Sequence, residues 1–415
     1  KVIILGQFFK KNGKKKEQDT HAMTQSKNRW IVLLALLSVT LFTFLPSLWN
    51  DFVNYDDSML LFENAIIHEC SPTNAGKIFQ TQLSGQYSRF NPLVFISYMM
   101  TKCLFGFNPF WFHMISLIVH LGCVMAVFWL TILLSGSTFI SAVCALLFGI
   151  HPIHVEAVAW ASSFMHVLYS FFYLLTLILF LKTIRSKTGK NIFWTLSFIS
   201  FLACGCSFSG GAITVPIILL LLCVWEDGTL KPNRFFLLTP FVFLSIFWAW
   251  ITLFTAKHGA IIANPYFNLE TFSFAERIHL SSLSLFFYLH QIIAPLDFAI
   301  VYPEGYYFLR LNALWTLGLA AGLLSLFLLY KRRPAKTKPV IFGLLFFLVI
   351  LLPFLKVYST TSSLTNDRYG YLACYGIFLI LAVWVNTLIT KKIPLTKTVL
   401  SVAAMYLILT SWAVC

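Results

Sequence analysis

The chain has 415 residues, 59% hydrophobic and 11% charged, with 43 Phe and 12 Trp. Those proportions exclude an ordinary soluble domain, and continuous apolar runs of about twenty residues exclude a barrel of short alternating strands. The formal net charge of +15 sits in basic clusters between apolar runs, the pattern of cytoplasmic loops and not of a nucleic-acid-binding surface.

The expected fold is an all-α polytopic membrane protein of eleven transmembrane helices plus external juxtamembrane helices. Residues 1–29 read as a cytoplasmic basic tail, its Lys-rich stretch lying near anionic headgroups, and 30–415 as the membrane domain. The apolar runs in chain order are 30–49, 110–134, 137–150, 164–182, 192–208, 211–225, 235–255, 311–330, 339–356, 371–389 and 397–414. The positive-inside rule places "KTIRSKTGK", "EDGTLKPNR" and "KRRPAKTK" in the cytoplasm. Keeping the last of these inside requires segment 275–294 to lie along the outer surface without crossing. Segment 91–106, opened by Pro92 and interrupted by Lys102, reads the same way. The C-terminus is then external, and the outer face collects loops 51–109, 151–163, 256–310 and 357–370, where a functional site is expected.

The nine Cys suggest no disulfide framework. Cys123, Cys144, Cys204, Cys206 and Cys223 lie in apolar runs as small core residues, and Cys70 stands in a polar loop without an evident partner.

Four external segments carry candidate chemistry. In "VNYDDSMLLFEN", Asp56 and Asp57 follow the first span; neighbours diverge too far to act as a facing dyad, so one carboxylate can serve a site while Asp57 or Ser58 caps a helix. In "HPIHVEAVAW", His151, His154 and Glu156 either approach a metal, if the turn cooperates, or pack and cap a helix end; packing is the expectation, and no metal site is assigned. In "TNDRYGYLACYG", Arg368 either holds a phosphate or pairs with Asp367 to anchor the helix. "APLDFAIVYPEGYY" adds a rigid, Tyr-rich loop that includes Tyr302.

Together these segments resemble the C-type (GT-C) membrane glycosyltransferases, near the protein O-mannosyltransferases. The resemblance is nearest to the branch whose membrane domain precedes tetratricopeptide repeats. It rests on "NYDD", "NPLVFISYMMTKCLFGFNPFWFHMISLIVH", "HPIHVEAVAWASS", "VYP" and "DRYGYLACYGIFL", spread over nearly the whole membrane region. It implies transfer of a sugar from a polyprenyl-phosphate donor to a protein or glycan hydroxyl, on the periplasmic or lumenal side. Asp56 or Asp57 would be the general base. Arg368 and Arg89 would meet the donor phosphate, and His151, His154, Glu156, His166 and Tyr302 are pocket candidates. Segments 91–106 and 275–294 would frame the lipid entrance.

The chain departs from that pattern at three places. An Arg-Lys-Asp triplet is replaced by Phe164-Met165-His166, a Ser-Lys-Glu motif by Ser207-Phe208-Ser209, and an Arg by Asn91, with Arg89 nearby. Each change removes a cation from the side expected to meet an anionic donor. The alternative reading is therefore a catalytically degenerate membrane subunit or scaffold of a larger complex. A transporter is a third reading, disfavoured by the few ionisable residues central in the spans and the lack of a visible repeat pair.

Overall fold

The structure is a computed structural model. It describes residues 27–84, 89–258, 272–295, 298–299, 302, 334–355, 365–392 and 396–415. Among them every regular element is helical, as expected where lipid offers backbone groups no hydrogen-bond partner.

Helix α1 (Lys27–Trp49) ends in a tight turn at Leu45–Trp49. The loop beyond holds one wide turn, Ser58–Phe62, and two short helices, α2 (Pro72–Leu83) and α3 (Pro92–Phe105). There follow α4 (Pro109–Ser135), α5 (Thr138–Ile150), α6 (Val155–Ala159), α7 (Phe164–Arg185), α8 (Lys190–Ser207), α9 (Ser209–Ala212), α10 (Val215–Asp227) and α11 (Pro232–His258). The chain is described again as α12 (Phe274–Ile293), α13 (Pro334–Leu351), α14 (Asp367–Thr390) and α15 (Thr396–Val414).

The boundaries follow local chemistry. Ser71, Asn108 and Ser137 cap α2, α4 and α5 by accepting from Asn74, Phe110 and Ile140 N–H groups. These are orphan first-turn donors. Gly136 and Gly228 end α4 and α10 at φ of 68° and 72°, a conformation glycine adopts without strain.

Helix α7 is the centre of the bundle, packed on α4, α8 and α14. Of its most apolar window 78% is buried, against 28% for α11. The latter instead exposes Phe236, Phe243, Trp250 and Leu253, as a lipid-facing helix does. Helices α13 and α14 cross at backbone contact: a Cβ on Gly376 would lie 2.1 Å from the Gly343 carbonyl oxygen.

The protein is therefore all-α and multi-pass. Among the described residues seven helices are long and apolar enough to cross a membrane, or eight if α5 and the 54°-bent segment Pro152–Ala159 make one span. That is short of the eleven expected. The expected span 311–330 lies outside the described residues, α8 is not among the seven, and the last apolar helix is the shorter Ser401–Val414. Segments 91–106 and 275–294 form α3 and α12, neither of which is among the seven.

The cysteine expectation is corrected. Cys70 is bonded to Cys103 at the end of α3, with Cα atoms 5.9 Å apart. The sequence hid the partner because Cys103 sits inside an apolar helix. The other seven cysteines are free.

Candidate active site

The acidic loop is built on buried amides. Asn74 Nδ2 donates to the Ile66 and Glu69 carbonyls at 3.3 and 3.2 Å. Gln82 Oε1 accepts from Asn91 N–H at 2.6 Å. These bonds fold a polar segment into a fixed platform.

On that platform the two neighbouring aspartates have different environments. Asp57 is fully buried. Its Oδ2 accepts from Val53 N–H at 2.8 Å, and its Oδ1 accepts from Ser162 N–H at 3.0 Å and from the Ser162 hydroxyl. Three donors occupy the carboxylate, so the expected cap role is corrected: Asp57 stands before the turn Ser58–Phe62 but makes no side-chain cap bond. Asp56 is half-buried, and its carboxylate accepts no hydrogen bond from the described residues.

Tyr98 of α3 ties the base of this unit. Its hydroxyl donates to the Ala161 carbonyl at 2.8 Å, next to the Ser162 that holds Asp57. Burial, together with the Asp57 and Asp56 charges, raises the Tyr98 hydroxyl well above its usual range, so it remains a donor.

Arg368 opens α14 and is paired with Glu156, correcting the expected partner, Asp367. Glu156 Oε2 accepts from Arg368 N–H at 2.7 Å, and Oε1 accepts from the guanidinium. The guanidinium also lies 5.3 Å from the ring centroids of Trp160 and Tyr369, a cation–π arrangement. Tyr55, beside Asp56, meets the same indole at 6.1 Å. Tyr55 and the Arg368 guanidinium thus both face the Trp160 ring. Asp367 instead accepts from the Tyr302 hydroxyl at 2.7 Å. Burial and the Asp367 charge raise the Tyr302 hydroxyl far above its usual range.

The three departures from the resembling pattern meet in space. Asn91 Nδ2 lies 3.5 Å from Met165 Sδ. Ser209 N–H donates to the Phe90 carbonyl at 3.2 Å. Phe208 packs on His166 at 5.4 Å and on Phe354 at 6.0 Å, and Phe354 stacks on Tyr369 at 4.5 Å. The junction they form is lined by Asn91, Met165, His166, Phe208, Phe354 and Tyr369, without a Lys or Arg among these. Arg89, next to Phe90 in the chain, is exposed.

His151 and His154 belong elsewhere. His151 Nδ1 accepts from Ile153 N–H at 3.2 Å, and its Nε2 meets the Ile292 carbonyl at 3.0 Å. His154 packs on Phe148 and Tyr371 at 4.6 and 4.7 Å. The His151 ring caps the turn after α5 and the His154 ring packs, both of them buried and against Phe148, Tyr371 and Phe378, where the sequence suggested packing at the interface on Trp160. Glu156 is committed to Arg368, and among the described residues no group of three His, Cys, Asp or Glu is placed to hold a metal. The residues that sequence reasoning gave no role are Ser162, Tyr98 and Phe354; Ser162 and Tyr98 lie within the quoted segments, and Phe354 lies outside them.

No protein-family model matches the chain. Among curated proteins it is 29% identical to human protein O-mannosyl-transferase TMTC2 over 126 residues, 30% of this chain and 15% of that protein. It is 29% identical to human TMTC3 over 157 residues, 36% of this chain and 16% of that protein. It is 27% identical to tmtc2 of Xenopus laevis over 201 residues, 47% and 24% of the two chains. The chain resembles the protein O-mannosyl-transferases. The matches span 15 to 24% of the length of these relatives. Among solved structures, archaeal oligosaccharyltransferase AglB from Archaeoglobus fulgidus, in complex with an inhibitory peptide and a dolichol-phosphate, aligns with a TM-score of 0.49 and 15% identity. That alignment covers 94% of this chain and 55% of the other.

Proposed function

We propose that the protein is a glycosyltransferase that moves a sugar from a polyprenyl-phosphate donor to a hydroxyl of a protein or glycan on the non-cytoplasmic face. The observation that carries this reading is the division between the two aspartates. Asp57 is spent on three internal donors, whereas the half-buried Asp56 carboxylate accepts no hydrogen bond from the described residues, and its neighbour Tyr55 meets the Trp160 ring that the Arg368 guanidinium faces.

In this mechanism the acceptor hydroxyl approaches Asp56. The carboxylate takes its proton as the oxygen attacks the anomeric carbon. The new glycosidic C–O bond forms as the bond from that carbon to the donor phosphate breaks, through an oxocarbenium-like transition state. Negative charge gathers on the leaving lipid phosphate. Arg89, exposed and making no hydrogen bond with the described residues, is the cation available to meet it. Arg368 contributes its field while Glu156 holds it in place. Asp57, Ser162 and Tyr98 fix the loop that aims Asp56. The acceptor supplies the hydroxyl, and the donor supplies sugar and leaving group.

The Cys70–Cys103 bridge supports the assignment of face. It lies in the same loop as Asp56, and disulfides persist on the oxidising side of a membrane. The expected orientation, with a cytoplasmic N-terminus, puts that loop outside.

One observation favours the scaffold reading. Where the resembling proteins carry lysines, Met165 and Phe208 are packed against Asn91 and His166. Transfer of labelled sugar from a panel of polyprenyl-phosphate donors, with and without partner proteins, separates the readings. Transfer that requires Asp56 supports the enzyme; a folded protein inert to every donor supports the scaffold.

A further inference from the structure

Three cross-links close a ring around the acidic loop. Asp57 is held by the Ser162 N–H at 3.0 Å and by the Ser162 hydroxyl. One residue back, the Ala161 carbonyl accepts from the Tyr98 hydroxyl of α3 at 2.8 Å. Further along α3, Cys103 is bonded to Cys70, downstream of Asp57 in the same loop. The path from Asp57 to Cys70, across the bridge, back along α3 to Tyr98, over to Ala161 and on to Ser162 thus returns to Asp57.

The links of this ring differ in access. Asp57, Ser162, Tyr98 and Ala161, which make the two hydrogen-bonded links, are all buried. Cys70 and Cys103 are both exposed. Cys70 stands between the exposed Glu69 and Ser71, the cap of α2, in a polar part of the loop that water reaches. A disulfide opens when a thiolate attacks one of its sulfurs, so access governs the rate, and exposed bridges are the labile and regulatory ones. The other seven cysteines are free and none of them is exposed. Once the bridge is open, the outer end of the loop keeps the Lys102 bond to the His68 carbonyl and the Asn74 amide bonds to Ile66 and Glu69. Water competes for such hydrogen bonds, as it does not for a covalent tie. The loop then stays attached, but the ring no longer closes on Asp57.

We propose that Cys70–Cys103 is a redox-operated latch on the acidic loop. A dithiol reductant attacks one sulfur, the S–S bond breaks, and the other sulfur leaves as a thiolate. The second thiol of the reductant then displaces the mixed disulfide. The reductant ends as a disulfide and the two cysteines end as thiols, a transfer of two electrons and two protons. Opening the ring loosens the grip on Asp57 and the segment that carries Asp56; reoxidation restores both. This goes beyond the sugar-transfer reading and is read from the order of the loop, so a protein inert to every donor still tests it.

The test uses the full chain in lipid nanodiscs, treated with dithiothreitol and then with oxidised glutathione. Maleimide labelling with peptide mapping reads the thiols. Hydrogen exchange reads the loop through the Val53 and Ser162 amides, both of which donate to Asp57. The Ile140 amide, held by Ser137 at the start of α5, is the internal control. Dithiothreitol is expected to label Cys70 and Cys103 in the folded protein and to speed exchange at Val53 and Ser162 by at least about tenfold, as local opening does. Ile140 is expected to be unmoved, and oxidised glutathione to reverse the change. The double variant Cys70→Ser, Cys103→Ser is expected to exchange at the faster rate without reductant and to ignore it. Thiols that appear only when the protein unfolds overturn the latch. So do labelled thiols with unchanged exchange at Val53 and Ser162, an equal rise at Ile140, or a change that reoxidation does not reverse.

Discussion

Glu156 and Arg368, 212 residues apart in the chain, make a double contact in which one carboxylate takes both the backbone N–H and the guanidinium of the arginine. Their side chains are only 10% and 11% exposed. The pair pins the start of α14 to α6 and holds a positive charge against Trp160 and Tyr369.

Removing one partner of such a pair leaves an uncompensated buried charge, which costs roughly 3–5 kcal/mol. Glu156→Ala is expected to lower the apparent Tm of the detergent-solubilised protein by several degrees. Glu156→Gln, which still accepts from the Arg368 N–H, is expected to lower it less. Size-exclusion profiles after a heating series measure both; identical profiles for Glu156→Ala and the starting protein would show that the pair is not holding the helix end.

The two aspartates are expected to separate stability from chemistry. Asp57→Asn disturbs an acceptor with three donors and is expected to cost about 1–3 kcal/mol. Asp56→Asn touches no hydrogen bond and is expected to leave the Tm unchanged. The same heating series reads both, and a larger loss for Asp56→Asn would reverse the assignment.

Much of this was legible in the sequence, for identifiable reasons. Helices α4, α7, α11 and α14 announce themselves because an apolar run long enough to cross lipid has few other forms. The Asp56–Asp57 segment and Arg368 were singled out because charges are rare in such a chain. The division of labour between the aspartates was not legible: it depends on Ser162, 105 residues away. The Glu156–Arg368 pairing was missed for the same reason, and Asp367 was the natural guess only because it is adjacent. The bond from Cys70 to Cys103 was hidden because composition marks Cys103 as a core residue.

The disulfide closes a segment of 33 residues, a length for which chain-entropy arguments give about 3–4 kcal/mol. Cys103→Ser is expected to lower the Tm and leave Cys70 free to alkylation. Non-reducing peptide mapping of the unaltered protein should recover the two cysteines in one linked fragment. Recovery of both as free thiols from membranes prepared without reductant would remove the support this bridge gives to an external site.

Helices α13 and α14 approach too closely for any side chain at their crossing. A Cβ at Gly343 would sit 2.4 Å from the Gly376 carbonyl oxygen, and one at Gly376 would sit 2.1 Å from that of Gly343. Backbone cannot yield as a flexible side chain can. Gly376→Ala is expected to destabilise by at least about 1–3 kcal/mol, whereas Gly76→Ala, in open space on α2, is expected to be near neutral. Comparable folded yields for the two variants would mean the helices sit farther apart.

The central claim is that Asp56 is the base of a sugar transfer. The most direct measurement is transfer of labelled sugar from polyprenyl-phosphate donors by the purified full chain, beside Asp56→Asn of matched folding and Tm. The account predicts transfer by the unaltered protein and a loss of about 10²–10⁴-fold in the variant, the contribution of a positioned general base. Undiminished transfer by Asp56→Asn, or a well-folded protein inert to every donor and partner offered, would contradict it.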